Sequence, residues 1–261
     1  MEFNAKKTTR DIIKWIRNFF EENGKHCNAV IGMSGGKDSS VAAALCVKAL
    51  GADRVIGVIM PNGIQKDKYD AVEVCDILGI RYMGINIDGA YNHIIESMDA
   101  IYNPARDGYE TIRPTSQTKI NLPARLRMAT LYAVSQSMSG RVVNTCNLSE
   151  DYVGYSTRYG DSAGDFSPLG RLTTDEVIAV GLECGLPEHV VHKTPSDGLS
   201  GLTDEDNLGF SYEVLNKYIR TGVCADTAVR ERIAAMHEKN IFKLLPMPTF
   251  PYGGEITVFV E

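Results

Sequence analysis

"AVIGMSGGKDSS", residues 29–40, sets apolar, β-favouring residues directly before a run of small residues that carries one cation and one anion. A helical pattern, "DSSVAAALCVKAL", follows at once and is closed by Gly51. A strand that passes through Ser-Gly-Gly into a helix aims free backbone N–H groups out of the sheet's carboxyl end. The helix dipole adds partial positive charge there, so the turn suits an anion such as phosphate. Glycine lets that backbone approach a ligand closely. Asp38 would repel phosphate unless a divalent cation bridges the two, which makes Mg²⁺ part of the expectation. The plainer reading is a tight turn with Asp38 as the helix N-cap.

The loop is neither of the commonest phosphate fingerprints. Ile31 stands where a Walker A element needs its first glycine, and Asp38 follows Lys37 where Ser or Thr is required. The GxGxxG spacing is also absent.

Outward from the loop, strand-like and helical runs alternate. "IIKWIRNFFEE" predicts an amphipathic opening helix, and "RVIGVIM" and "RYMGINI" predict strands on either side of a helix over "KDKYDAVEVCDILGI". A further helix is expected over residues 91–101. After Pro114, "TSQTKINLPARLRMATLYAVSQSMSG" is helical on both sides of Pro123, where a break or kink is expected, and "RVVNT" returns as a strand. Such alternation indicates βαβ units and a parallel sheet. Residues 147–170, rich in Gly, Ser, Asp and Tyr, read as a long irregular and functional loop. Helices resume over "TTDEVIAVGLECG", "NLGFSYEVLNKYI" and "ADTAVRERIAAMHEKN", and one domain over 1–261 is the simplest account.

Composition narrows the function. The formal net charge of −6 argues against an extended nucleic-acid surface, though not against a small anionic substrate. No apolar run approaches a membrane span, and the first residues lack a signal peptide's apolar block, so a cytoplasmic protein is expected. The six cysteines show no CxxC pair and read as reduced thiols, and the five histidines form no HExxH pattern.

The full string "SGGKDS" resembles the pyrophosphate-binding loop of the N-type ATP pyrophosphatases, which cleave ATP between the α- and β-phosphates to adenylate a substrate. Four further stretches resemble the NAD synthetases of that superfamily in order and spacing. They are "NLPARLRM", "NTCNLSEDYVGYSTRYGDSAGDFSPLGRLT", "KTPSDGL" and "DEDNLGFSYEVLNKYI". The resemblance covers almost the whole chain. It implies a doubly wound, mostly parallel five-stranded sheet with helices on both faces, of the adenine nucleotide alpha hydrolase-like kind. It also implies ammonia-dependent conversion of deamido-NAD⁺ and ATP to NAD⁺, AMP and pyrophosphate, in a homodimer.

The same resemblance implies roles for individual residues. Gly32, Met33, Ser34, Gly35, Gly36, Lys37, Asp38 and Ser39 would bind ATP, with Met60 beside adenine and with Thr145 and Ser196 as further contacts. Asp38 and Glu150 would share Mg²⁺. Arg125, Arg158, Asp165 and Lys243 match positions that contact deamido-NAD⁺, while Arg127 is expected on a different helix face. Asp161 is the candidate for taking a proton from ammonium.

Two departures stand out. Thr174 replaces a family lysine that contacts ATP phosphates, and Arg171 is expected to compensate; Phe242 replaces a frequent histidine. A tRNA-thiolating enzyme would share the loop but normally brings catalytic cysteines and a basic surface. A non-catalytic nucleotide-binding module would explain the loop alone.

Overall fold

The computed structural model describes residues 3–65, 68–98, 101–103, 108–193, 204–251 and 253. Helix α1 (Ala5–Asn23) is capped by Asn4, whose side chain accepts the Lys7 N–H at 2.9 Å, and it buries Ile16 and Phe20. Strand β1 (Asn28–Gly32), helix α2 (Lys37–Leu50), strand β2 (Val55–Ile59), helix α3 (Lys68–Leu78) and strand β3 (Arg81–Gly84) follow in alternation. Helix α4 (Asp88–Met98) leads to a small antiparallel pair, β4 (Ile101–Asn103) and β5 (Gly108–Glu110), and then to the long helix α5 (Ser116–Ser137) and strand β6 (Gly140–Val142). The rest is helical: α6 (Leu148–Val153), α7 (Thr174–Glu183), α8 (Glu188–Val191), α9 (Asp204–Leu208), α10 (Tyr212–Thr221) and α11 (Thr227–Asn240).

The main sheet runs β3-β2-β1-β6, every pair parallel. Its two faces are both apolar, as a parallel sheet requires. Ala29 and Ile31 of β1 join a cluster with Phe20, Val41, Leu45, Val177 and Val180, drawn from α1, α2 and α7. Val30, one residue out of phase, packs on the other face with Ile56, Val58 and Val142 beneath Met128, Leu131 and Val134 of α5. A third cluster unites α6, α9, α10 and α11 through Val153, Leu208, Leu215 and Ile233. Among the described residues no helix is long and apolar enough to cross a membrane.

Several expectations need correcting. The sheet has four strands among the described residues, not five. A single parallel bridge, Val143 with Phe166, stands where the fifth would run. Its ladder is cut short because the Asp165 carboxylate itself accepts the Val142 N–H, at 2.7 Å. At Pro123, where a break or kink is expected, there is no break, and α5 continues as one helix from Ser116 to Ser137. A proline inside a helix costs about 3 kcal/mol; burial of Pro123 and of the α5 face beneath the sheet offsets it. The expected irregular loop over 147–170 contains α6. The helical run "NLGFSYEVLNKYI" is split between α9 and α10 by Gly209, whose φ of +78° ends the first.

Candidate functional site

The chain leaves β1 in one direction, building β2 and β3, and later returns to lay β6 on the other side of β1. The connections after β1 and β6 therefore diverge, opening a crevice at the carboxyl ends of these strands, where ligands of such sheets bind. A cavity of about 920 Å³ lies here. The small-residue loop forms one wall and residues 143–161 much of another.

The loop itself is held open by short bonds. Ser39 and Ser40 hydroxyls donate to the Gly36 carbonyl at 3.1 and 2.7 Å, and the Ser34 and Ser39 hydroxyls meet at 3.0 Å. Gly35 has φ +75°, and a Cβ there would lie 2.7 Å from the Ala71 backbone nitrogen, so only glycine fits the turn against α3. Gly36 is the N-cap of α2 and brings no capping side chain, which leaves the first helical N–H groups free for a ligand. Asp38 is thus not the N-cap, as the plainer reading had it.

Lys37 and Asp38 turn toward each other at 2.9 Å, and Lys37 is only 4% exposed. Burial opposes the lysine's charge, but Asp38, Glu150 and Asp204 outweigh it and hold its pKa above the ordinary value. The Tyr212 ring lies 5.9 Å from the ammonium, and its hydroxyl donates to Asp204 at 3.2 Å. From the opposite wall, Asn147 donates its amide N–H to Asp38 at 3.0 Å. The same side chain accepts the Glu150 N–H at 3.1 Å, and Glu150 returns toward the Asn147 N–H, a reciprocal cap at the start of α6. Burial, and then Asp38, push the Glu150 carboxyl well above its usual range, against the pull of Lys37. Two acids that crowd one another in this way are a fitting pair for a divalent cation, which would relieve their repulsion.

Gly32, Met33, Ser34, Gly36, Lys37 and Asp38 line the cavity. Met60, Thr145, Glu150, Asp161 and Lys243 do so as well. Asp161 accepts the Thr157 N–H at 2.8 Å. The protein packed about its carboxyl raises the pKa, opposed by Thr157 and by Lys243. Lys243 donates to the Gly154 and Ser156 carbonyls at 2.7 and 3.2 Å.

Other expected residues stand elsewhere. Gly35 and Ser39 support the loop without lining the cavity. Arg125 is off the wall, its Nε donating to the Arg158 carbonyl at 3.3 Å, and Arg158 stacks its guanidinium on Tyr159 and Phe242. Asp165 is engaged by Val142 and by the Tyr132 hydroxyl. Arg171 is exposed and outside the cavity, because the Thr173–Glu176 cap buries its neighbours and turns it outward. Thr174, where the resemblance implies a lysine, is itself buried, with its N–H donating to Ser149. Ser196 lies outside the described residues.

Asn147, Lys193, Asp204 and Tyr212 escaped the sequence reading, which sets Arg127 apart from the substrate on a different helix face. "NLSE" does carry the signature of a reciprocal cap, Asn followed by Glu three residues on, and so could have revealed Asn147. Arg127 had no such signal: which of two arginines on one helix faces inward depends on how that helix docks.

A profile of the NAD synthase family matches residues 8–247. The NH(3)-dependent NAD(+) synthetase of Pyrococcus furiosus is 40% identical over 209 residues, 80% of this chain and 76% of that protein. Among solved structures, the NMN synthetase from Francisella tularensis superposes with a TM-score of 0.83 at 31% identity, covering 96% of this chain and 100% of that one. The NH3-dependent NAD synthetase from Campylobacter jejuni gives a TM-score of 0.75 at 27% identity, covering 96% and 100% of the two chains. With the loop, the divergent strand ends and a match along nearly the whole sequence, the chain belongs to the NAD synthase family.

Proposed function

We propose that the protein is an ammonia-dependent NAD⁺ synthetase working as a single domain. The nicotinate carboxylate of deamido-NAD⁺ attacks the α-phosphate of ATP and expels pyrophosphate. Ammonia then displaces AMP at the acyl carbon, giving NAD⁺. One observation carries the reading: Lys37, Asp38 and Glu150, from opposite sides of the divergence between β1 and β6, line one cavity and act on one another there.

The free N–H groups at the start of α2 and the Lys37 ammonium hold the triphosphate tail. Thr145 and Met60 face the same nucleotide. Among the described residues no three ligating side chains could hold a metal unaided, so Mg²⁺ would be held by Asp38 and Glu150 together with phosphate oxygens. Held there, Mg²⁺ would supply positive charge to offset that of the leaving pyrophosphate. Asp161 takes a proton from ammonium so that neutral ammonia attacks. Lys243 orients the dinucleotide, and Arg125 and Arg158 meet the part that extends beyond the wall. Exposed Ile94 on α4 and Ile120 on α5 offer apolar surface for a homodimer.

Pyrophosphate release measured with ATP, Mg²⁺ and ammonia should depend on deamido-NAD⁺ and match NAD⁺ formed. Release that proceeds equally without the dinucleotide sinks the reading. A second reading is amidation of nicotinate mononucleotide, favoured by the likeness to the Francisella tularensis NMN synthetase. Comparing kcat/KM for mononucleotide and dinucleotide decides between the two.

A further inference from the structure

Arg127 enters the cavity from α5 with most of its donors unspent. Its Nε–H donates to the Met60 carbonyl, at the end of β2, at 3.0 Å, which fixes the plane of the guanidinium. Its terminal nitrogens have no protein acceptor among the described residues, and no carboxylate lies within ion-pair distance there. Arg125 likewise bonds only through its Nε among the described residues, but it does not line the cavity. Arg17, Arg54 and Arg220 each spend the Nε and a terminal nitrogen on protein oxygens. Three of the four lysines on the wall are also engaged, Lys37 with Asp38, Lys193 with Asp70, and Lys243 with two carbonyls, while the fourth, Lys68, is exposed and lies 5.1 Å from the Tyr69 ring.

A guanidinium drawn out of water without a direct ion pair is unfavourable, and burial pushes the Arg127 pKa down, although the Asp161 charge nearby acts in the opposite sense. An arriving anion reverses that cost. The planar fork matches two oxygens on one phosphorus or one carboxylate carbon, which a lysine does not. We propose that Arg127 is a binding residue of this cavity, its terminal nitrogens taking a pair of anionic oxygens from a nucleotide substrate, either the α-phosphate of ATP or the carboxylate of the nicotinate nucleotide. This rests on reading the cavity as a nucleotide site.

The test uses Arg127→Met, which removes the fork at similar length, and Arg127→Gln, which keeps an N–H for the Met60 carbonyl without the charge. Binding of ATP, AMP, deamido-NAD⁺ and NAD⁺ is measured by calorimetry for each, with steady-state KM and kcat. A rise of 10-fold or more in Kd for ATP and AMP alone identifies the α-phosphate. A similar rise for deamido-NAD⁺ but not NAD⁺ identifies the carboxylate, since NAD⁺ lacks it. Either result supports the proposal. Arg127→Gln that folds normally and binds every ligand within twofold of wild type overturns it. Wild-type pyrophosphate release, followed alongside, reports separately on the functional reading, because Arg127 is judged by the ratio of variant to wild-type binding.

Discussion

Lys37 and Asp38 are neighbours in sequence and in charge, one 4% and the other 19% exposed. An Asp38 facing open solvent would be removable at no cost to the fold, as a bare loop carboxylate suggests. Its bonds to Lys37 and Asn147 say otherwise, because Asp38→Ala strands a buried ammonium and an amide donor. Asp38→Asn, which keeps the shape, separates the two roles. Both variants should lose nearly all turnover, and the alanine variant should lose more stability, about 3 kcal/mol, because asparagine still offers an oxygen to Lys37 and Asn147. Denaturant unfolding with pyrophosphate release distinguishes these, and near-normal turnover in Asp38→Asn would remove Asp38 from the metal assignment. Asp161 predicts a pH effect. Its raised pKa means the carboxylate forms only above the ordinary range, so turnover at fixed free ammonia falls as pH falls through that raised value. Asp161→Asn should lower kcat and flatten the acidic limb; an unchanged limb assigns it to another group.

At the scale of elements, three helix starts make the site. The start of α2 supplies uncapped N–H groups, that of α6 is capped by Asn147, and that of α3 packs against Gly35. Asn147→Ser keeps a capping oxygen but removes the amide that reaches Asp38 across 109 residues of sequence. It should cost about 1 kcal/mol in stability yet lower turnover at least tenfold; full turnover in a folded Asn147→Ser protein would show that this tie is dispensable. The strand–loop–helix unit at 29–50 was legible because its signals are local: apolar strand, small-residue turn, apolar helix. Arg125 and Arg127 were not told apart because they differ by about 200° round one helix, and the docking of Met128, Leu131 and Val134 on the sheet selects Arg127 for the cavity. The fifth strand implied by the resemblance is reduced to the Val143–Phe166 bridge, beside which a side chain, Asp165, takes the Val142 N–H that a ladder would have used. Asp204 and Tyr212 reach Lys37 only through the packing of α9 and α10 with α6, a long-range fact with no periodic trace.

At the scale of the molecule, the divergence of the chain at β1 and β6 explains why residues far apart in sequence share one ligand. Asp38 belongs to the first connection and Glu150 to the second, so whatever bridges them ties both halves of the sheet's edge together. Two mutually repelling acids on facing walls are a cost to the empty fold, and a cation with its nucleotide turns that cost into a link. Ligand binding must therefore appear as stability. ATP with Mg²⁺ at about 100 times its Kd stabilises by about 2.7 kcal/mol, which in a chain of this size raises Tm by about 5–10 °C. Chelation of Mg²⁺ should remove most of that rise in the wild type. In Asp38→Asn, adding Mg²⁺ should change the Tm measured with ATP very little, because one of the two anchoring acids has lost its charge. A thermal scan of both proteins with ATP, with and without chelator, reads this directly, and an equal rise in wild type whether Mg²⁺ is present or removed would mean that the carboxylates do not hold a metal with the nucleotide.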